Sequence, residues 1–507
     1  MDARQPNMRV IVVGAGNAGL CAALAAREQG ASVTVLEAAP EAEQGGNTAY
    51  TAGGMRVVYE GVEDLRRLMP ELSQREVDDT DFGSYPASAF YEDMERVTEH
   101  RADPELVEVL VERSFQTLCW MREKGVRFLP MYGRQAFKVN GRFRFWGGMT
   151  VEANGGGPGL VSALMAAAGR AGITILHDTR AIGLERGDAR VEGVRVRQKD
   201  GTRVLACDAV VLASGGFEAN AEWRTRYLGP GWDLAKVRGT RYNQGDGIRI
   251  ALDVGASAAG NWSGCHAVSW DLNAPEFGDL TVGDGFQKHS YPFGIMVNAR
   301  GERFVDEGAD FRNYTYAKYG REVLAQPGQF AWQVFDGKSE HLLRDEYRIR
   351  QTSKVRADSL AALVKRMDGV DPEGFLREVD QFNSAVSDVE FDPNIRDGKR
   401  TTGLRIEKSN WAQRIDTPPF QAFAVTCGIT FTFGGLRIST DAEVLDSEAA
   451  PIPGLFACGE LVGGLFYFNY PGGTGLTSGS VFGRIAGSSA SAFAADGRAE
   501  IESVGAR

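Results

Sequence analysis

The sequence predicts an α/β fold in which a parallel-sheet domain is interrupted by an inserted α+β segment. Three observations predict it. The chain starts with a strand, a glycine turn, a helix and a second strand; two more glycine-ended strands stand near its middle and its end; and the residues between them differ in composition.

The first unit is local and compact. Arg9 to Val13 is a short apolar run that reads as a strand. Gly14-Ala15-Gly16-Asn17-Ala18-Gly19 follows, and an Ala-rich helix is expected from Leu20 to about Gln29. Gly30 ends the helix, and Ser32 to Leu36 reads as a second strand, which completes a βαβ unit. A G-x-G-x-x-G string placed between strand and helix has a physical use. Its first glycine permits the tight turn, its second lets backbone reach a pyrophosphate, and its third lets helix and strand pack closely. The helix start adds partial positive charge for phosphates. Glu37, 18 residues after Gly19, ends the second strand, where a carboxylate accepts hydrogen bonds from ribose hydroxyls. The unit is therefore read as a Rossmann-like dinucleotide site.

Further along, Glu60 to Gly125 is expected to be mostly helical, with Leu106, Val109, Leu110, Leu118 and Met121 at helical spacing. Gly155-Gly156-Gly157-Pro158-Gly159 opens another helix. Ile173 to Val211 reads as short strands turning near Arg186-Gly187-Asp188 and Lys199-Asp200-Gly201. Ala209 to Ala213 is a buried strand that ends at Ser214-Gly215-Gly216. From about residue 260 to 423 the chain is richer in Trp, Tyr and charge, with few long apolar runs. The glycine-rich apolar pattern returns at Cys427, and a last helix is expected over Ser480 to Ala494. The expected organisation is residues 1–259 and 424–507 as two parts of one domain, and 260–423 as an inserted α+β capping domain for substrate.

Composition narrows the function. An apolar fraction of 43% fits a globular chain. The formal charge of −11, with no compensating basic run, argues against a nucleic-acid partner. The six cysteines form no C-x-x-C pair and no C-x-x-C-H site, so they read as free thiols of a reducing compartment, with no metal site. Met1 to Met8 is short and polar, without a secretory pattern, and no apolar run reaches the roughly 18 residues of a membrane helix. A cytoplasmic protein with no membrane span is expected.

Three segments resemble FAD-binding elements of the fumarate reductase and succinate dehydrogenase flavoprotein superfamily. They are the N-terminal unit, Asp208 to Gly216, and Pro453-Gly454-Leu455-Phe456-Ala457-Cys458-Gly459-Glu460. The resemblance covers nearly the whole chain. Gly45-Gly46-Asn47-Thr48-Ala49-Tyr50-Thr51-Ala52-Gly53-Gly54 resembles that superfamily's flavin loop, and Gln244-Gly245-Asp246-Gly247 with Gly255-Ala256 resembles another of its signatures. The resemblance implies FAD held by Gly14, Gly16, Asn17, Ala18, Gly19, Glu37, Gly46, Asn47, Thr48, Gly53, Gly54, Ser214, Gly215, Gly245, Asp246, Gly459, Glu460, Gly475 and Leu476. Membrane-bound relatives carry a flavin-linked histidine where Asn47 stands, which implies non-covalent FAD.

The same resemblance implies a substrate site. Chemistry of this class moves hydride at one carbon and a proton at its neighbour, so it needs a proton-transferring group and donors for developing charge. His266 resembles the family's substrate-binding histidine, the alternative being a structural one. Gly301-Glu302-Arg303-Phe304-Val305-Asp306-Glu307 resembles the segment before the catalytic arginine, for which Arg312 is the nearest match; the alternative is an ion-pair arginine. Several family positions differ. A histidine position is filled by Thr430, a carboxylate-binding arginine position by Tyr470, and the proton-relay Glu and Arg positions fall near Gln287 and Ser290. Lys288 and His289 beside them either hold a carboxylate or are solvated. Within the superfamily, Asp306 to Tyr314 and Gly463 to Gly473 are most similar to tricarballylate dehydrogenases. Tyr470-Pro471-Gly472-Gly473 is also similar to ketosteroid dehydrogenases, where the tyrosine polarises a ketone; the alternative is packing against flavin.

The resulting expectation is an FAD-dependent enzyme that desaturates, or reduces, a carbon–carbon bond beside a carboxylate or carbonyl of a small molecule. Electrons then pass to or from a separate protein, quinone or oxygen. The rivals are a 3-ketosteroid dehydrogenase-like or enone reductase flavoenzyme, and a flavoprotein electron-transfer subunit.

Overall fold

The computed structural model describes residues 8–145 and 150–505, with side chains to residue 496. Residues 1–7, within the polar start discussed above, lie outside the described residues. The elements that build the site are, in chain order, β1 (Arg9–Val13), α1 (Asn17–Glu28), β2 (Ser32–Leu36), α2 (Gly156–Arg170), β3 (Thr174–Leu176), β4 (Ala209–Leu212), β5 (Ala258–Asp271), α3 (Tyr316–Leu324), β6 (Ala331–Phe335), β7 (Phe420–Leu436), β8 (Glu443–Leu445), β9 (Pro451–Ala457) and α4 (Thr474–Gly505).

The first sheet has the strand order β8-β9-β4-β1-β2-β3. Strand β1 is parallel to both neighbours, with Val12 opposite Val211 on one side and Val35 on the other. All four residues of β4 are buried, as expected of a central parallel strand covered on both faces. Only β8 runs antiparallel. The first βαβ unit forms as the sequence predicts, except that α1 starts at Asn17 rather than Leu20. At its turn Gly14 has φ +110°, and a Cβ there would lie 2.4 Å from the carbonyl oxygen of Ala213. A Cβ on Gly19 would lie 1.9 Å from the carbonyl oxygen of Gly14.

Four helices, Val62–Leu68, Gln74–Asp78, Ala87–Thr98 and Pro104–Glu123, fill the segment expected to be helical. The C-terminal helix starts at Thr474, six residues before its expected start, and runs to Gly505. Its glycines explain both the length and the misreading. Cβ atoms on Gly483 and Gly487 would fall 2.5 and 2.0 Å from carbonyl oxygens of Ala18 and Ala22, so small residues here serve close packing on α1 rather than turns.

A second sheet lies across the first in the chain's path. Its order is Lys236–Val237, β7, β6 and Ile295–Val297, with β5 and Lys354–Ala357 also pairing to β7. Strands β5 and β7 run antiparallel from Ala258 opposite Leu436 to Asp271 opposite Val425. The 17-residue β7 spans the 423/424 position at which composition changes. One strand thus carries Thr430 and Phe431 from the second sheet towards the ends of β4 and β9. Among the described residues, no helix is long and apolar enough to cross a membrane.

Candidate active site

A cavity of about 230 Å³ is lined by residues of both sheets. One part is built by the ends of β1, β2, β4 and β9. Gly14, Gly16, Asn17, Ala18, Glu37, Gly46, Asn47, Thr48, Gly54, Ser214, Gly215, Asp246, Gly459, Glu460, Gly475 and Leu476 all line it. Gly19, Gly53 and Gly245 do not line it. Each sits where chain segments cross: a Cβ on Gly53 would lie 2.7 Å from the carbonyl carbon of Gly156, and one on Gly245 2.6 Å from the Trp223 ring.

The polar groups of this part fit a dinucleotide. Glu37 accepts the N–H of Ala15 at 3.0 Å on one oxygen and that of Ala39 at 2.8 Å on the other. Each oxygen keeps acceptor capacity for a ribose hydroxyl at the cavity wall. Helix α1 begins there without a side-chain cap, which suits a phosphate. The buried Ser214 Oγ has no partner among the described residues. Asn47 clasps three segments: its amide donates to Glu218 Oε1 and to the Thr430 carbonyl, each at 2.6 Å, and accepts the Thr240 N–H at 2.8 Å.

The other part of the cavity is cationic. Arg134, Arg238 and Arg312 line it, and Arg134 and Arg238 share the carboxylate of Asp284. Arg238 places Nη2 2.6 Å from Asp284 Oδ1, and Arg134 places Nη1 2.8 Å from Oδ2. Gln287 donates to the same Oδ2 at 2.7 Å, and Arg238 Nη1 donates to Thr430 Oγ1 at 3.2 Å. Arg312 donates through Nη2 to the Arg134 carbonyl at 2.6 Å and through Nη1 to His289 Nδ1 at 3.3 Å. Burial lowers the pKa of Arg312, opposed by Glu346. Burial also holds His266 and His289 well below the usual histidine range, helped by Arg238 and Arg312 respectively. Both rings are therefore neutral at pH 7.

Tyr316 of α3 completes the wall. Its hydroxyl is hydrogen-bonded to that of Tyr470, and its ring packs 4.9 Å from both His266 and His289. Neither nitrogen of His266, nor Nε2 of His289, has a partner among the described residues. Such atoms at a cavity wall are poised for a ligand.

Of the residues expected here, Arg312, Tyr470, His266, Thr430, His289 and Gln287 line the cavity together. Lys288 does not line it, and it is not solvated either. It is fully buried, 3.4 Å from Asp271 Oδ2, and donates to the Glu346 carbonyl at 2.9 Å. The chain is extended at Gln287, so alternate side chains point to opposite sides. Sequence reasoning missed Arg134, Arg238, Asp284 and Tyr316. None lies in a glycine signature, and no local pattern marked them.

Fold and cavity together define an FAD-dependent oxidoreductase. The FAD binding domain family matches residues 9–476. A fumarate reductase (cytochrome) of Shewanella frigidimarina is 30% identical over 490 residues, covering 96% of this chain and 77% of that protein. A 3-oxosteroid 1-dehydrogenase of Mycolicibacterium smegmatis is 26% identical, covering 96% and 98%. The open conformation of a flavocytochrome c3 fumarate reductase superposes with a TM-score of 0.72 at 28% identity, covering 97% of this chain and 79% of that one. The chain belongs to the FAD-binding flavoprotein family of the fumarate reductases and succinate dehydrogenases.

Proposed function

We propose that this enzyme desaturates, or in reverse reduces, a carbon–carbon bond beside a carboxylate of a polycarboxylate, in the manner of a tricarballylate dehydrogenase. One observation carries the reading: Arg134, Arg238 and Arg312 face the substrate part of the cavity, where Asp284, paired with the first two, is the carboxylate that lines it. That leaves a local excess of positive charge, which a substrate with two or more carboxylates neutralises.

FAD, when bound, accepts or delivers the hydride. Asn47 offers no ring nitrogen for a covalent link, so FAD is held non-covalently. Arg238, Thr430 and the neutral His266 and His289 orient the acid groups. Arg312 handles the proton, since its burial weakens its hold on one. Electrons pass to or from a separate acceptor or donor, and the reaction is placed in the cytoplasm.

A second reading rests on the Tyr316–Tyr470 hydroxyl pair, which is a fit donor for a ketone oxygen, as in a ketosteroid dehydrogenase or enone reductase. The two are separated by offering the FAD-loaded enzyme a panel of tricarboxylates, dicarboxylates and cyclic 3-ketones and following loss of the flavin's visible band. Bleaching by tricarboxylates, with turnover when an artificial acceptor is added, is expected. Bleaching by ketones alone would sink the polycarboxylate reading. No bleaching by any of them would leave the electron-carrier rival standing.

A further inference from the structure

Two carboxyl side chains, Glu218 buried and Glu460 half-buried, meet at the cavity wall, and the substrate chemistry does not use them. Glu218 follows the Gly215-Gly216 turn after β4, and Glu460 follows Gly459 after β9. The two strands are parallel neighbours, with Leu212 opposite Ala457, so the chain emerges from adjacent strand ends and brings the two carboxyls together. Glu218 is 0% exposed, and Glu460 lines the cavity beside Asn47 and Asn243. Both carboxyls lie against a single donor, the side chain of Asn243. The amide nitrogen of Asn243 lies 2.6 Å from Glu218 Oε1 and 3.3 Å from Glu460 Oε2, bridging them.

The surroundings supply donors, and among the described residues neither carboxyl forms an ion pair. Asn47 donates to Glu218 Oε1 at 2.6 Å, and the Thr432 N–H donates to Glu460 Oε1 at 3.0 Å. Arg224 interacts electrostatically with Glu218, but its Nη1 goes to the Glu218 main-chain carbonyl at 2.6 Å, not to the carboxyl. Glu218 Oε2 has no hydrogen-bond partner among the described residues. Two ionised carboxylates against one donor repel strongly, and a proton on one of them relieves the repulsion. Two neutral carboxyls would waste the two donors that point at Glu218 Oε1, which favour a negative charge there.

We propose that Glu218 and Glu460 share one proton, so that the pair presents a single negative charge to the bound flavin, with Glu218 acting through Glu460 as a positioning residue that sets the flavin's reduction potential. Burial raises the pKa of both groups, in the same sense. The proposal rests on FAD binding and not on the choice of substrate.

The test is the midpoint potential of FAD-loaded enzyme at pH 7, which needs no substrate. Glu218→Gln keeps the size and the hydrogen-bonding groups, and it is isoelectric with a half-protonated pair. The potential is expected to stay within a threefold change in relative affinity for the two flavin redox states. In Glu218→Gln/Glu460→Gln the charge is gone, and reduced flavin should gain at least tenfold in relative affinity, a rise of about 30 mV for a two-electron couple. A tenfold gain already in the single variant means a doubly charged pair and overturns the proposal. No change in the double variant means a neutral pair and overturns it equally. Infrared spectra of the unmutated holoenzyme provide a check that requires no variant to fold. One protonated carboxyl with a strongly hydrogen-bonded C=O band is expected at this pair, assigned by selective loss in Glu218→Gln where that variant folds, and a holoenzyme spectrum with no protonated carboxyl band overturns the proposal.

Discussion

Arg312 donates from Nη1 to Nδ1 of His289 across 3.3 Å, and both side chains face the cavity. Because arginine has no acceptor, Nδ1 must be the unprotonated ring nitrogen. His289 is then the Nε2–H tautomer, with that N–H turned to whatever fills the cavity. The contact fixes the guanidinium while a second nitrogen is held by the Arg134 carbonyl. The arginine nominated for proton transfer is thus held from two sides by groups that carry no charge of their own at pH 7.

Replacing Arg312 with Ala should therefore separate chemistry from cofactor binding. FAD content should be unchanged, since Arg312 is held by Arg134 and His289 in the cationic part of the cavity. Turnover should fall by about 10²–10⁴-fold, the range for loss of a proton-transferring group. The check is steady-state kinetics beside the visible flavin spectrum. A variant with full turnover removes Arg312 from the reaction.

Arg238 is read as a binding residue, so Arg238→Gln should act mainly on KM. It removes one charge-assisted contact to substrate, a loss of about 1.5–3 kcal/mol or roughly 10–150-fold in KM. Asp284 stays paired with Arg134 and Gln287, so the fold should hold. An unchanged KM for tricarboxylates would break the charge argument for the site.

Tyr470→Phe discriminates between the two substrate readings. On the polycarboxylate reading the hydroxyl mainly partners Tyr316, and turnover should drop less than tenfold. On the ketone reading it polarises the reacting carbonyl, and its loss should cost about 10²–10³ in kcat, as for one oxyanion donor. The measurement is kcat on whichever substrate bleaches the flavin.

Much of the cofactor part was legible because its signals are local. A five-residue apolar strand, a glycine turn and a following acidic residue specify β1, α1, β2 and Glu37 within a single short stretch. The cationic part was less legible because it is assembled from distant pieces. Arg238 is placed by two residues of strand pairing to β7, Arg134 by a short turn, and Asp284 by a loop, and none of these has a periodic pattern. Lys288 shows the limit within three residues. Gln287 and His289 reach the cavity, and extended backbone turns the residue between them to the opposite side, which a string of letters does not show.

That placement makes Lys288 a stability residue. It and Asp271 are both 0% exposed, and Lys288→Met leaves a buried carboxylate without its cation. Breaking such a pair costs about 3–5 kcal/mol. Denaturant unfolding should show that loss, while KM of the folded fraction stays within twofold. A raised KM without loss of stability would return Lys288 to the substrate site.

The two cavity histidines give the protein a pH dependence with a definite sign. His266 and His289 are held neutral by burial, so their folded pKa values lie well below the unfolded value of about 6.5. Below that value the unfolded chain binds more protons than the native one, and stability falls as pH falls. Each histidine contributes a slope of at most about 1.4 kcal/mol per pH unit, beginning near pH 6.5. The neighbouring Arg238, Arg312 and Arg134 all oppose protonation, in the same sense as burial. A bound polycarboxylate reverses the local field and should flatten the dependence. Unfolding free energies of the FAD-loaded protein between pH 5 and 8, for the natural chain and for His266→Gln/His289→Gln, provide the comparison. The natural chain should lose stability below pH 6.5 more steeply than the double variant, and parallel curves would show that these rings do not titrate as the buried site requires.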